Sequence, residues 1–240
     1  MMILNSYQFA PSGPLLPSDL SNLVRWYKAD SFALADGTPI GGGGNTWIDQ
    51  SASGVNAAQA TAGNRPVFKT NIVNGKPVIR FTSASQHYLT HTTLTLIGHF
   101  TIIVISSSTN DHCVWGHDAA NEQVRIGDAG TNILSFFPAS NQVQSNGLTN
   151  AQNTFRCMTW RRSDPASTIV FRENKTLVTS AGSSVLNLVT NLIGCTFTGA
   201  LDLFANADIA ELCVYSTIDH TDANLDSLYD NYFKPKYGLP

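Results

Sequence analysis

The sequence predicts an all-β protein, a two-sheet antiparallel sandwich closed by one short C-terminal α-helix, and three observations carry that prediction. Charged residues make up only 13% of the 240 residues, about half the usual share. Ser, Thr and Asn keep the surface wet instead, and they favour strands and turns over helix interiors. Short apolar, β-branched stretches recur between Gly, Asn and Asp punctuation, with no helical period between them. The one clear helical period lies at the end of the chain. A chain of this length is commonly one sandwich with one long core, so residues 20–240 are read as a single domain.

Residues 1–19 carry Pro11, Pro14 and Pro17 with Gly13, which resist both helix and central strand, so an extended N-terminal arm is expected. Its apolar residues, among them Ile3, Leu4, Tyr7 and Phe9, need a cover: either a partner, which makes the segment an attachment arm, or an open edge of its own sandwich. Leu23 to Ala29 alternates well enough for a first strand, and Gly41 to Gly44 forms a flexible tip. Trp47 to Ser51 reads as a strand ending in an Asp/Ser/Gly turn, followed by a loop ending at Arg65-Pro66. Lys76 to Phe81 is a strand entered through a proline, and Phe100 to Ile105 is a continuous apolar run of the kind buried on both faces. Further strands are expected at 113–115, 124–126, 133–137, 155–161, 168–172, 201–204 and 209–215. Leu225, Leu228, Tyr229, Tyr232 and Phe233 then form one helical face over 222–233, with Thr221 as N-cap and Pro235 as the stop.

The formal net charge of -3, with the basic residues scattered, gives no footprint for a nucleic acid partner. No stretch approaches the roughly 18 apolar residues of a membrane helix, and Met1 to Phe9 lacks the regions of a classical export signal. Neither a membrane partner nor export by a classical signal is therefore expected. Cys113, Cys157, Cys195 and Cys213 are far apart and show no metal-ligand spacing. They read as buried thiols, with one cross-sheet disulfide as the alternative.

Three segments together resemble the laminin-G-like, concanavalin A-like jelly-roll family of phage and bacterial surface proteins. They are Leu23-Val24-Arg25-Trp26-Tyr27-Lys28-Ala29-Asp30; Trp47-Ile48-Asp49-Gln50-Ser51 through Arg65-Pro66 to Asn74-Gly75-Lys76-Pro77-Val78-Ile79-Arg80-Phe81; and Asp208 to Tyr215 with the terminal helix and Lys236-Tyr237-Gly238. The chain departs from the family pattern at Asp208, often glycine, and at Glu173-Asn174-Lys175, where an Asn-Gly turn is usual. The resemblance implies a jelly roll in which Trp26 and Trp47 are structural.

Glycoside hydrolases on this fold need paired carboxylates. The glutamates here, Glu122, Glu173 and Glu211, do not alternate along one strand, and Asp208 and Glu211 are expected on opposite faces. Glu211 reads as a half-buried structural carboxylate in phase with Ile209, Cys213 and Tyr215. His112 and His117 with Asp111 and Asp118 superficially suggest a metal site, but that spacing suits a helix and the segment reads as strand and loop. No metal, no cofactor and no catalytic residue are therefore assigned. For carbohydrate stacking, the candidates are Trp115 beside His117 and Asp118, and Trp160 beside Arg162, with burial of each tryptophan as the competing reading. The expected function is a non-catalytic attachment protein of a virus particle, a bacteriophage capsid decoration or tail-associated surface module, located in the virion. Its partners would be other virion proteins, a homo-oligomeric copy and a cell-surface glycan. The alternative is a carbohydrate-binding module or adhesin, extracellular or at the cell surface; a glycoside hydrolase comes third.

Overall fold

The computed structural model describes residues 15–109, 112–128, 131–139, 142–148, 152–163, 168–178, 184–218 and 220–240. The strands are β1 (Leu23–Lys28), β2 (Val67–Val73), β3 (Lys76–Phe81), β4 (Leu89–Leu96), β5 (Phe100–Ser108), β6 (His112–Gly116), β7 (Gln123–Asp128), β8 (Thr131–Phe137), β9 (Val143–Gln144), β10 (Arg156–Arg162), β11 (Ile169–Glu173), β12 (Thr176–Val178), β13 (Leu188–Ile193), β14 (Thr196–Phe197), β15 (Leu201–Asp202) and β16 (Ala207–Ser216). They form a large sheet in the order β12-β11-β10-β5-β16-β3-β2, with β1 also paired to β16, a second sheet in the order β4-β13-β6-β7-β8-β9, and the small hairpin β14-β15. Strand pairing is antiparallel throughout these sheets. The expected all-β, two-sheet jelly-roll sandwich with a C-terminal helix is the observed fold.

Between the sheets lies one apolar core that includes Tyr27, Trp47, Phe81, Phe100, Trp115, Phe136, Trp160 and Phe171. β5 is central to the large sheet and buried on both faces. Phe100, Ile102 and Val104 enter this core, whereas Ile103 and Ile105 enter a second cluster under the C-terminal helix. A continuous apolar run is stable there because the helix roofs the outer face.

The expected strand at Trp47 to Ser51 is instead a loop held by isolated bridges, Trp47 to Ala57 and Tyr27 to Asp49. The Asp49 carboxylate accepts the backbone N–H groups of Trp26 (2.8 Å), Ser51 (2.9 Å) and Val55 (3.1 Å), so a side chain does what a ladder would otherwise do. Strands β2, β4 and β13 were not expected. β2 and β4 are sheet edges with exposed residues such as Asn71, Thr90, Thr92 and Thr93, so their hydrophobic signal is diluted by solvent-facing polar positions. All four cysteines are free and buried, so the alternative of a cross-sheet disulfide is not realised. Burial pushes the Cys157 and Cys195 thiols up to about 12.

The C-terminal helix begins as expected, with Thr221 accepting from the Asn224 N–H and the Asn224 side chain accepting from the Thr221 N–H. Its α-helical part, α1 (Asp222–Leu228), widens into a π-turn at Tyr229–Phe233 and resumes as α2 (Lys234–Tyr237). Pro235 is therefore not the stop. Its missing donor is tolerated at the start of the new segment, just past the wide turn. The chain leaves the helix at Gly238, whose φ of 63° is the left-handed conformation of a helix C-terminus.

Met1 to Pro14, with Ile3, Leu4, Tyr7 and Phe9, lie outside the described residues. The last five residues of the expected arm, Leu15 to Asp19, are docked. Leu15 packs on the cluster under the helix, and the Pro17 carbonyl accepts from Tyr215 Oη at 2.9 Å.

Candidate binding groove at the C-terminal helix

Strand phase decides what meets under the helix. Ile209, Leu212 and Val214 point into the main core, whereas Ala210, Cys213 and Tyr215 point outward to the helix. The register of β16 against β5 slips between Ile209 and Glu211, and that bulge adds one residue to the outward side. Glu211 consequently shares the outer face with Cys213 and Tyr215 but not with Ile209. It also lies on the same face as Asp208, which pairs there with Arg80 at 2.7 Å; the expectation of opposite faces fails because of the inserted residue.

Glu211 is fully buried rather than half-buried, and its carboxylate accepts four donors. These are Trp26 Nε1 (2.5 Å), Tyr237 Oη (2.5 Å), Lys236 Nζ (2.8 Å) and Tyr232 Oη (3.1 Å). Lys236 also reaches Asp30 at 3.1 Å. Burial, then the neighbouring Glu211 charge, pushes both the Tyr232 and Tyr237 hydroxyls well above the ordinary phenol range, which keeps them as donors. A buried carboxylate is tolerable only when its lone pairs are filled in this way. The result is that β1, β16 and the helix are locked together through one side chain.

Around that hub opens a groove of about 630 Å³ lined by Leu16, Trp26, Lys28, Asp30, Asn74, Lys76, Asn231, Tyr232, Pro235 and Lys236. Its size is in the range of small-ligand sites. The β2–β3 hairpin supplies one wall. Asn74 and Gly75 both have positive φ, 46° and 72°, as a two-residue primed turn requires. That turn aims Asn74 Nδ2 at the Pro235 and Lys236 carbonyls, both at 3.2 Å, so the hairpin caps the end of the helix. Asn231 Nδ2 is likewise occupied, by the Ser227 carbonyl at 2.8 Å. The amide oxygens of Asn74 and Asn231 are left as acceptors, while Lys28 and Lys76 offer donors. A smaller notch of about 270 Å³ at Arg80, Asn153, Asn206 and Asp208 is less suited to a ligand, because its Arg80 and Asp208 already satisfy each other through two 2.7 Å bonds.

The residues expected to bind sugar are not brought together. Trp115 is fully buried, and its Nε1 donates to His91. Trp160 is also fully buried and donates to the Ser135 carbonyl at 3.0 Å. Neither has a ring face for stacking, because each sits on the inward phase of its strand. Arg162 is buried and tied to the carbonyls of Gly98, Ser184 and Leu186, where it organises a loop crossing. His117 and Asp118 lie beside each other at 3.6 Å on a turn of the smaller sheet, and Asp111 is outside the described residues. Sequence reasoning missed the groove because Trp26, Lys28, Asp30, Asn74, Lys76 and Lys236 all fall inside the three segments that read as structural. The available signal was that those segments carry Lys, Asp and Asn which a core does not need.

No protein-family model matches the sequence, and no curated protein matches it. Among solved structures, the chain is similar to domain 4 of AbnA, a GH43 extracellular arabinanase from Geobacillus stearothermophilus, solved in complex with arabinotriose. Identity is 11%, 87% of this chain and 98% of that one are covered, and the TM-score is 0.60. The fold is that of a β-sandwich module. Looser likenesses are to the sialyllactose-bound CBM40 of the Ruminococcus gnavus IT-sialidase (13% identity, 56% of this chain and 84% of that chain, TM-score 0.45) and to the receptor-binding domain of botulinum neurotoxin type G (12%, 88% and 51%, TM-score 0.47).

Proposed function

We propose that the protein is a non-catalytic carbohydrate-binding module whose ligand lies in the groove beside the C-terminal helix. The observation that carries this reading is the groove's composition. Trp26, Tyr232, Pro235 and Leu16 give an apolar lining, and around it stand donors on Lys28 and Lys76 and unspent acceptors on Asn74 and Asn231. Sugar hydroxyls both donate and accept, and their C–H faces need apolar surface, so they match such a mixture. The near end-to-end likeness to a domain solved in complex with arabinotriose supports the same class. A non-catalytic role is supported by the state of the glutamates and of Asp30, the aspartate lining the groove, which Lys236 holds at 3.1 Å. Glu211 has no exposed surface and four donors, Glu173 is buried 3.5 Å from Arg156, and Glu122 accepts from the Val189 N–H. None is placed to protonate or attack a glycosidic bond. Attachment to a virus particle would rest on Ile3, Leu4, Tyr7 and Phe9, which lie outside the described residues, so the saccharide reading is the one the groove supports.

The test is a glycan array probed with the full chain and with Asn231→Trp, which plugs the groove from an exposed position. Selective retention of glycans by the native chain, lost in the plugged variant at an unchanged melting temperature, is the expected result. Retention indifferent to the plug would remove the groove from the mechanism, and no retention at all would sink the carbohydrate reading.

A further inference from the structure

Resting on the saccharide reading of the groove, we propose that its ligand is an anionic saccharide whose acid group is held between Lys28 and Lys76. The charge inventory points there. Both carboxylates at the groove, Asp30 and Glu211, are already held by Lys236, at 3.1 and 2.8 Å. Lys28 and Lys76 line the same groove, and among the described residues neither is in an ion pair. The groove therefore has three cations against two anions, in a chain whose net charge is -3.

Both lysines are placed by the sheet. Lys28 ends β1 opposite Glu211 of β16, and Lys76 opens β3, which pairs with the other half of β16. Both are half-buried, and the Lys28 ammonium stands 4.9 Å from the Trp26 ring centroid, a cation–π distance that fixes its position. A neutral sugar entering here would strip water from two cations without returning a charge, which costs affinity. A carboxylate or sulfate on the sugar returns it, through charge-assisted hydrogen bonds. The uncompensated positive charge that a neutral ligand would have to tolerate becomes the means of selecting an acidic one.

The experiment is calorimetric titration of the full chain with trigalacturonate and with arabinotriose, backed by an array of neutral, carboxylated and sulfated glycans. Lys28→Gln and Lys76→Gln are compared with the native chain after their melting temperatures are matched. The expected result is a preference for acidic glycans that weakens with added salt and falls roughly tenfold in each lysine variant. The carboxylated and sulfated arms identify which acid group is read. Equal binding of neutral glycans, unchanged by either substitution, overturns the anionic proposal and leaves the carbohydrate reading intact. Acidic binding that survives both substitutions also overturns it, because the acid group is then held elsewhere. Failure of every glycan class to bind overturns the carbohydrate reading and this proposal together.

Discussion

The two faces of the large sheet are both buried, yet they are built on different principles. The inner face meets the second sheet through apolar side chains along its centre, and the polar groups it buries are held locally: Trp160 donates to the Ser135 carbonyl, Arg162 to the Ser184 and Leu186 carbonyls, and Arg156 stands 3.5 Å from Glu173. The outer face meets the helix through an apolar cluster with a carboxylate at its edge, Glu211, satisfied by two tyrosines, a tryptophan and a lysine. Away from Glu211 the helix is anchored by ion pairs, Arg161 to Asp222 at 2.9 Å and Lys175 to Asp230 at 2.8 Å. Apolar contact is non-directional and fixes how much is buried. A filled carboxylate is directional, so it fixes where the helix stops and how Trp26, Tyr232 and Lys236 present themselves in the groove. The inner face supplies stability, and the outer face supplies geometry.

That contrast can be broken by substitution. The largest effect is expected for Trp160→Ala on the inner face, roughly 3–5 kcal/mol by denaturant unfolding, with ligand affinity of the remaining folded protein unchanged. Glu211→Gln on the outer face should cost roughly 3 kcal/mol, because Lys236 and two buried hydroxyls lose their anion, and it should also abolish binding in the groove. If Glu211→Gln binds normally, the hub is only an anchor and the division between the faces is wrong.

The smallest effect sharpens the comparison through pH. Burial pushes His91 down to about 4, so it is neutral in the folded protein near pH 6, and burial lowers His87 as well. The unfolded chain takes up protons below the ordinary value of about 6.5, and the folded chain does so only at lower pH. Stability should therefore be full above that value, fall on the order of 2 kcal/mol as pH drops toward 4, and then level off. His91→Gln should flatten the curve; an unaltered slope in urea titrations at pH 4 and 7 would show that other groups set the acid limit.

Much of the fold was legible. Phe100 to Ile105 announced a doubly buried strand, and Leu225, Leu228, Tyr229, Tyr232 and Phe233 announced the docking face of a helix; all five are buried. The edge strands were not legible, since the threonines of Leu89–Leu96 all face solvent and mask the inward Leu89, His91 and Leu96. The site was less legible than the fold. Trp115 and Trp160 were singled out for polar neighbours in the sequence, but Arg162, two residues beyond Trp160, shares its strand face, and that face is the inward one, so both tryptophans and Arg162 are buried.

The sequence by itself determined the class of architecture, the docking face of the C-terminal helix and its start at Thr221, because each depends on local periodicity or capping. Only the tertiary structure decided that one inserted residue after Ile209 turns Glu211 toward the helix, and that Lys28, Lys76 and Lys236, drawn from three distant segments, border a single groove. A bulge is set by the pairing of a strand with its neighbours, and a cluster of like charges by which strands become neighbours; neither quantity exists until the sheet has formed.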